Sequence, residues 1–181
     1  MQKVEERIIK PTIQGLQKDG IPYIGFLFLG LIKVKDEPMV IEYNVRMGDP
    51  ETQAVLPRIK SDFLDLLCAA ADQRLSDYNI EIDPNTAATV VMASAGYPGD
   101  YQKGKKIWGL APSSKSKVFH AGTIREGEFI LTNGGRVLAV TGMGSNTKEA
   151  LTNAYTGVEE ISWEGVQFRK DIGKDILSIG G

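Results

Sequence analysis

The longest apolar stretch of the chain, Tyr23 to Val34, runs for about 12 residues and is broken by Gly25, Gly30 and Lys33, well short of the roughly 20 residues that span a membrane. A second apolar run, Met39 to Asn44, follows the turn-forming Lys35-Asp36-Glu37-Pro38, so the spacing predicts a β-hairpin over Ile21–Val34 and Met39–Asn44. Helical periodicity brackets it. Val4, Ile8, Ile13 and Leu16 precede an Asp19-Gly20 stop, with Pro11 either kinking that helix or beginning a second one. Downstream, Leu56, Ile59, Phe63, Leu67, Ala70 and Ala71 share one helical face, and Pro57 suits its first turn.

From about Ser76 the pattern changes to short strands with glycine turns, which predicts two domains, 1–75 and 76–181. The polar stretch Ser76–Thr86 reads as the connection, and Ala87–Ala95 as a buried strand. Val118–Ile124 and Phe129–Thr132 flank Arg125-Glu126-Gly127-Glu128, and Asn133-Gly134-Gly135 leads into Arg136–Thr141, predicting a three-strand meander. Asn146 followed by Glu149 has the spacing of an N-cap with its reciprocal acceptor, ahead of an apolar face of Ala150, Leu151, Ala154, Tyr155 and Val158. The tail after Trp163 reads as short strand or loop.

Composition narrows the function classes. Of 181 residues 42% are hydrophobic, with 21 basic against 23 acidic side chains and a net charge of −2, which excludes disorder and argues against a nucleic-acid partner. One cysteine, Cys68, and one histidine, His120, provide neither a disulfide nor a zinc set; both are expected to be packing residues, as are Trp108 and Trp163. The opening MQKVEERIIK has no signal-peptide core. A cytoplasmic protein without a membrane partner is the expectation.

The polar residues beside apolar structure concentrate in EYNVRMGDPETQ, Glu42 to Gln53. Period-2 alternation puts Glu42, Asn44 and, if the strand continues, Arg46 on one face. A carboxylate and an amide oxygen suit Mg²⁺, which commonly takes one or two protein ligands while substrate phosphates supply others. A guanidinium nearby can grip a carboxylate or phosphate bidentately. On spacing alone the same three residues also read as the solvated face of an edge hairpin, and Gly48 to Gln53 as a plain turn with helix-capping acids.

The segment Glu42–Gln53 closely resembles the strand-and-loop signature of the phosphoribosylamine–glycine ligase (glycinamide ribonucleotide synthetase) family of ATP-grasp enzymes. The resemblance continues, in family order, through Lys10-Pro11-Thr12 to Gly25, Arg58-Ile59-Lys60-Ser61-Asp62, Gly96-Tyr97-Pro98-Gly99-Asp100-Tyr101, Phe119-His120-Ala121-Gly122-Thr123, Thr132 to Leu138 and Arg169-Lys170-Asp171-Ile172-Gly173. It implies an α+β fold: the C-terminal half of an ATP-grasp domain over 1–75, an antiparallel sheet with helices on one face, then a small β-rich, barrel-like or hybrid C-terminal domain over 76–181. It also implies ATP-dependent joining of glycine to 5-phosphoribosylamine through glycyl phosphate, with Mg²⁺ (or Mn²⁺) as cofactor, in purine biosynthesis.

Carried over by residue, Glu42 and Asn44 match the family's metal ligands. Arg46, Asp49 and Glu51 are the catalytic candidates, Arg46 for the glycine carboxylate or acyl phosphate. Thr52, Asn133, Gly134, Arg136, Arg169, Lys170 and Asp171 are the substrate-binding candidates. Asn133 to Arg136 also reads as a hairpin turn, and Arg169 to Asp171 as a surface ion-pair cluster. The family's adenine pocket, phosphate-binding lysine and lid would precede Met1, and Phe28-Leu29-Gly30 stands where many ATP-grasp enzymes have a second acidic ligand. Three readings stay open: a C-terminal portion of the ligase, a subunit acting with a separate ATP-binding half, and a non-catalytic module.

Overall fold

The computed structural model describes residues 1–110 and 115–179. The chain divides into two units, one of Met1–Asp49 and Ser61–Ile80, the other of Pro50–Lys60 and Glu81–Gly181.

In the first unit, α1 (Gln2–Val4) runs through a π-helical turn, Glu5–Ile9, into α2 (Lys10–Lys18). Pro11 sits in the first turn of α2, where its missing N–H costs least, so the proline begins a second helix behind a wide turn. The Thr12 hydroxyl donates to the Ile8 carbonyl at 2.6 Å, and Gly20, at φ +69°, lets the chain leave the helix. Strands β1 (Phe28–Val34) and β2 (Glu37–Asn44) form the antiparallel hairpin. Its turn is Lys35-Asp36 alone, both at positive φ (47° and 66°), the type I′ geometry that matches strand twist. Glu37 and Pro38 therefore open β2 instead of completing a four-residue turn, and Ile21–Leu27 stay outside the strand. Lys3 and Arg7 both pair with Glu37, so two cations from the first helical turns hold the start of β2.

The predicted continuous helix from Leu56 does not form. The segment is α3 (Glu51–Val55) and a 3₁₀ turn, Leu56–Arg58, followed by extended Ile59. Proline at 57 has no N–H for the Gln53 carbonyl. Ile59 instead bridges Ile82, the Lys60 N–H donates to the Glu81 carbonyl at 2.9 Å, and the Asp83 N–H donates to the Arg58 carbonyl at 2.7 Å. A new helix, α4 (Phe63–Ala71), starts at Asp62, whose carboxylate accepts from the Leu64 and Asp65 N–H groups at 2.8 and 3.1 Å. Phe63 stacks on Phe26, with centroids 6.2 Å apart. Cys68 is exposed on α4, not packed.

The second unit is built on a four-stranded antiparallel sheet of order β4-β7-β3-β8: β3 (Thr86–Ser94), β4 (Ser116–His120), β7 (Arg136–Gly144) and β8 (Val166–Phe168). The hairpin β5 (Thr123–Glu126) and β6 (Phe129–Thr132) is a separate ribbon. This replaces the predicted meander. At the crossing, Gly122 and Gly134 approach so closely that a Cβ on Gly122 would lie 2.6 Å from the Gly134 Cα, and β7 pairs with β4 and β3 while the hairpin swings away. Among the described residues the sheet is open at β4 and β8, so the expected barrel-like closure is not seen.

Helix α5 (Thr147–Glu160) packs on β3, β4 and β7. Val90, Met92, Val137, Leu138, Val140, Ala154 and Val158 are at most 1% exposed, and each fully buried aliphatic side chain contributes roughly 1.5–3 kcal/mol. The cap works as predicted at Asn146, whose side chain accepts from the Glu149 N–H at 3.0 Å. The reciprocal bond lands one residue earlier, on the N–H and hydroxyl of Ser145. Trp163 is core, but Trp108 is 57% exposed, carrying the Lys106 ammonium over its ring. His120 is likewise exposed, bonded through Nδ1 to the Thr123 hydroxyl at 3.0 Å. Helix α6 (Lys174–Ile179) ends the described chain.

Candidate active site

Glu42 and Asn44 alternate with Tyr43 at the end of β2, Glu42 exposed and Asn44 half-buried, and the Asn44 Nδ2 donates to Glu42 Oε1 at 3.0 Å. That bond takes one of the amide's two N–H donors and leaves its carbonyl oxygen, with the carboxylate, as an oxygen donor set on one strand face. Such a set fits Mg²⁺ or Mn²⁺, which need few protein oxygens when phosphates complete the shell. Among the described residues no group of three or more His, Cys, Asp or Glu side chains offers a richer cluster.

The residue that makes room for Glu42 escaped the sequence reading. Gly30 is its direct cross-strand partner, beside a register shift between Gly30 and Leu31, and a Cβ there would press on the glutamate side chain. A glycine inside a strand pattern was the available signal.

Arg46 does not extend the row. The strand ends at Asn44, and the exposed Arg46 lies in the bend beyond, its Nη1 donating to the Met47 carbonyl at 3.2 Å. Asp49 is exposed in the following loop. Glu51 and Thr52 open α3 and belong to the second unit.

Asn133, Gly134 and Arg136 lie where β6 passes into β7. The Asn133 N–H donates to the Gly122 carbonyl at 2.7 Å, and the Ser94 hydroxyl donates to the Gly134 carbonyl at 2.9 Å. Asn133 and Arg136 are exposed. Gly135 has a packing role: a Cβ there would fall 2.1 Å from the Tyr97 ring, which meets Tyr101 edge-on.

Arg169 and Asp171 form a bidentate pair, 2.9 Å at each of two contacts. Their hydrogen bond, with the charge attraction behind it, raises the guanidinium pKa and lowers that of the carboxyl. The Tyr155 hydroxyl donates to the Arg169 carbonyl at 2.8 Å and accepts from the Ile172 N–H at 3.2 Å, holding the loop that lines a cavity of about 520 Å³ with Gly173, Lys174 and Asp175. Lys170 is exposed within this loop. The structure thus brings together two of the predicted groups, Glu42 with Asn44 and Arg169 with Asp171.

Residues 1–52 match the ATP-grasp (A) domain, and residues 87–175 the C domain, of phosphoribosylglycinamide synthetase. This chain belongs to the phosphoribosylglycinamide synthetase family. Its similarity to the phosphoribosylamine–glycine ligase of Chlorobaculum tepidum is 48% identity, covering 98% of this chain and 42% of that protein. The crystal structure of the Thermotoga maritima phosphoribosylamine–glycine ligase superposes with a TM-score of 0.82 at 35% identity, over 94% of this chain and 42% of that one. The biotin carboxylase domain of the Hydrogenobacter thermophilus 2-oxoglutarate carboxylase, solved with MgADP, ADP and bicarbonate, shares the fold at a TM-score of 0.61 and 14% identity, over 92% of this chain and 40% of that one. The chain therefore spans about two fifths of the synthetase relatives it matches. No helix among the described residues is long and apolar enough to cross a membrane.

Proposed function

We propose that this chain is the C-terminal portion of a cytoplasmic phosphoribosylamine–glycine ligase, with residues 1–75 completing an ATP-grasp domain and 76–181 forming its C-terminal domain. In the reaction, the glycine carboxylate oxygen attacks the γ-phosphorus of ATP, releasing ADP and giving glycyl phosphate. The amine of 5-phosphoribosylamine then attacks the acyl carbon, expelling phosphate, losing a proton and leaving the amide of glycinamide ribonucleotide. Glu42 and Asn44 would hold Mg²⁺ (or Mn²⁺), which when bound neutralises charge on the transferring phosphoryl group.

Arg46 would orient the glycine carboxylate, and Asp49, Glu51 and Thr52 would line the substrate loop. Asn133, Gly134 and Arg136, with Arg169, Lys170 and Asp171, would contact the phosphoribosyl substrate. The reading rests on the paired Glu42 carboxylate and Asn44 amide, 3.0 Å apart within the family's signature segment. The coverage of about two fifths of the relatives favours a second statement: this polypeptide acts only together with the ATP-binding region, in one chain or as a separate subunit.

The test is titration calorimetry of Mg·ATP with this chain and its Glu42→Gln variant, beside turnover of the complete ligase with and without that substitution. The expected result is turnover abolished by Glu42→Gln with a changed Mg²⁺ dependence. Unaltered rate and Mg²⁺ dependence would overturn the assignment of Glu42. Binding by the isolated chain that the variant loses would mean a preformed half-site; absence of binding at millimolar nucleotide would put nucleotide recognition in the ATP-binding region.

A further inference from the structure

We propose that Thr141, supported by Thr89, is a positioning residue for the substrate loop, acting through the backbone of Gln53. The inference rests on the reading above that Glu51 and Thr52 line that loop.

Pro57 interrupts the helical hydrogen-bond pattern after α3. An α-helix continuing past Val55 would satisfy the Gln53 carbonyl with the N–H of residue 57, and proline has none. The Thr141 hydroxyl donates to that carbonyl at 2.9 Å. Thr141 is 1% exposed in the centre of β7, so this bond is made away from water. A hydroxyl carries one proton, and a carbonyl can only accept. The 2.7 Å contact between Thr141 and Thr89 therefore runs one way, with Thr89 donating to Thr141 Oγ1. Thr89 and Thr141 are direct cross-strand partners in β3 and β7. Two hydroxyls in series thus fix the direction of the chain: Thr89 to Thr141 to Gln53.

What they fix is specific. Helix α3 has five residues and no side-chain cap, too short to hold itself, and Gln53 is at its middle, one residue from Thr52 and two from Glu51. Together with the packing of α3 on β3 and β7, the carbonyl anchor fixes the rotation of that single turn over the sheet, and hence the direction in which Glu51 and Thr52 project. Neither threonine has a role in substrate contact in the reading above. Their effect is through the backbone they hold.

The test uses the complete ligase with Thr141→Val, which keeps the shape and removes the hydroxyl, and Thr141→Ser, which keeps the hydroxyl. Thr141→Val is expected to raise KM for glycine or 5-phosphoribosylamine about five- to tenfold, the worth of one buried hydrogen bond. KM for ATP should stay unchanged, and backbone amide exchange across 51–55 should quicken. Thr141→Ser should restore both readouts. Glu51→Gln and Thr52→Ala are measured alongside. If they impair turnover while Thr141→Val leaves substrate KM and exchange at wild-type values, the positioning role is overturned and the loop assignment stands. If exchange quickens in Thr141→Val and is restored in Thr141→Ser, but Glu51→Gln and Thr52→Ala turn over normally, the anchor is real and the loop assignment fails, and with it the functional half of the proposal. A uniform loss of melting temperature in Thr141→Val and Thr141→Ser alike, without the exchange difference, would also overturn it as mere packing.

Discussion

A Cβ added to Gly30 would sit 2.9 Å from the Cγ of Glu42, its partner across the hairpin. That atom is near the root of the glutamate side chain, so rotation about the outer bonds cannot relieve the contact. Gly30→Ala should therefore displace the Glu42 carboxylate from Asn44. The complete ligase is expected to need on the order of tenfold more Mg²⁺ for half-maximal turnover, the usual scale for disturbing a group that orients a metal ligand. A Mg²⁺ titration of initial rates reads this directly, and an unchanged midpoint would mean that the glutamate is free to move without consequence.

Arg46→Lys keeps the charge and removes the fork. If the guanidinium grips the glycine carboxylate bidentately, KM for glycine should rise roughly ten- to a hundredfold, since a single ammonium cannot reproduce two parallel bonds. Steady-state kinetics with varied glycine tests it; a wild-type KM and kcat would remove Arg46 from the site.

Two glycines should respond oppositely to alanine. At Gly142 on β7 a Cβ would meet the Ala154 amide nitrogen at 2.2 Å and the Ala150 carbonyl at 2.4 Å, forcing α5 off the sheet, a cost of about 1–3 kcal/mol. At Gly15, inside α2, nothing lies within 4 Å, and alanine should stabilise by about 0.5–1 kcal/mol through the unfolded chain and helix propensity. Thermal melts of the two variants should move in opposite directions.

The cap of α5 predicts an acid-dependent loss. The Ser145 hydroxyl, then its backbone N–H, donates to Glu149 Oε2 and holds that carboxyl below its ordinary value of 4.5. A folded value below the unfolded one means the stabilisation is complete above about pH 4.5 and is lost as pH falls through the folded value. The Tm difference between wild type and Glu149→Gln should be largest near neutrality and vanish in acid. A difference that is constant with pH would show that the carboxylate charge is not involved.

The hairpin, the strand from Ala87 and the capped helix were legible because each is written in contiguous residues: alternation, turn chemistry, and Asn146 three residues before Glu149. The helix expected from Leu56 was misread because its apolar spacing is real while its fate is decided by Ile82 and Asp83, far along the chain. The meander failed for a similar reason: the sequence order of β4 to β7 says nothing of which strand β7 pairs with, and that pairing is permitted by the Gly122–Gly134 crossing. Within the site, period-2 alternation located Glu42 and Asn44 but overran the strand end at Arg46. Thr141 was missed because a residue that holds a backbone atom carries no chemical signature of its own, and Gly30 because a glycine within a strand does not say which side chain it makes room for.

The pairing of Arg58 and Lys60 with Glu81 and Asp83 closes the neck of a loop. Everything between, Ser61 to Ile80, is an insertion of one folding unit into the covalent path of the other, and the chain passes from unit to unit three times. No single cleavage can release both units whole, and neither can be transplanted as one uninterrupted segment.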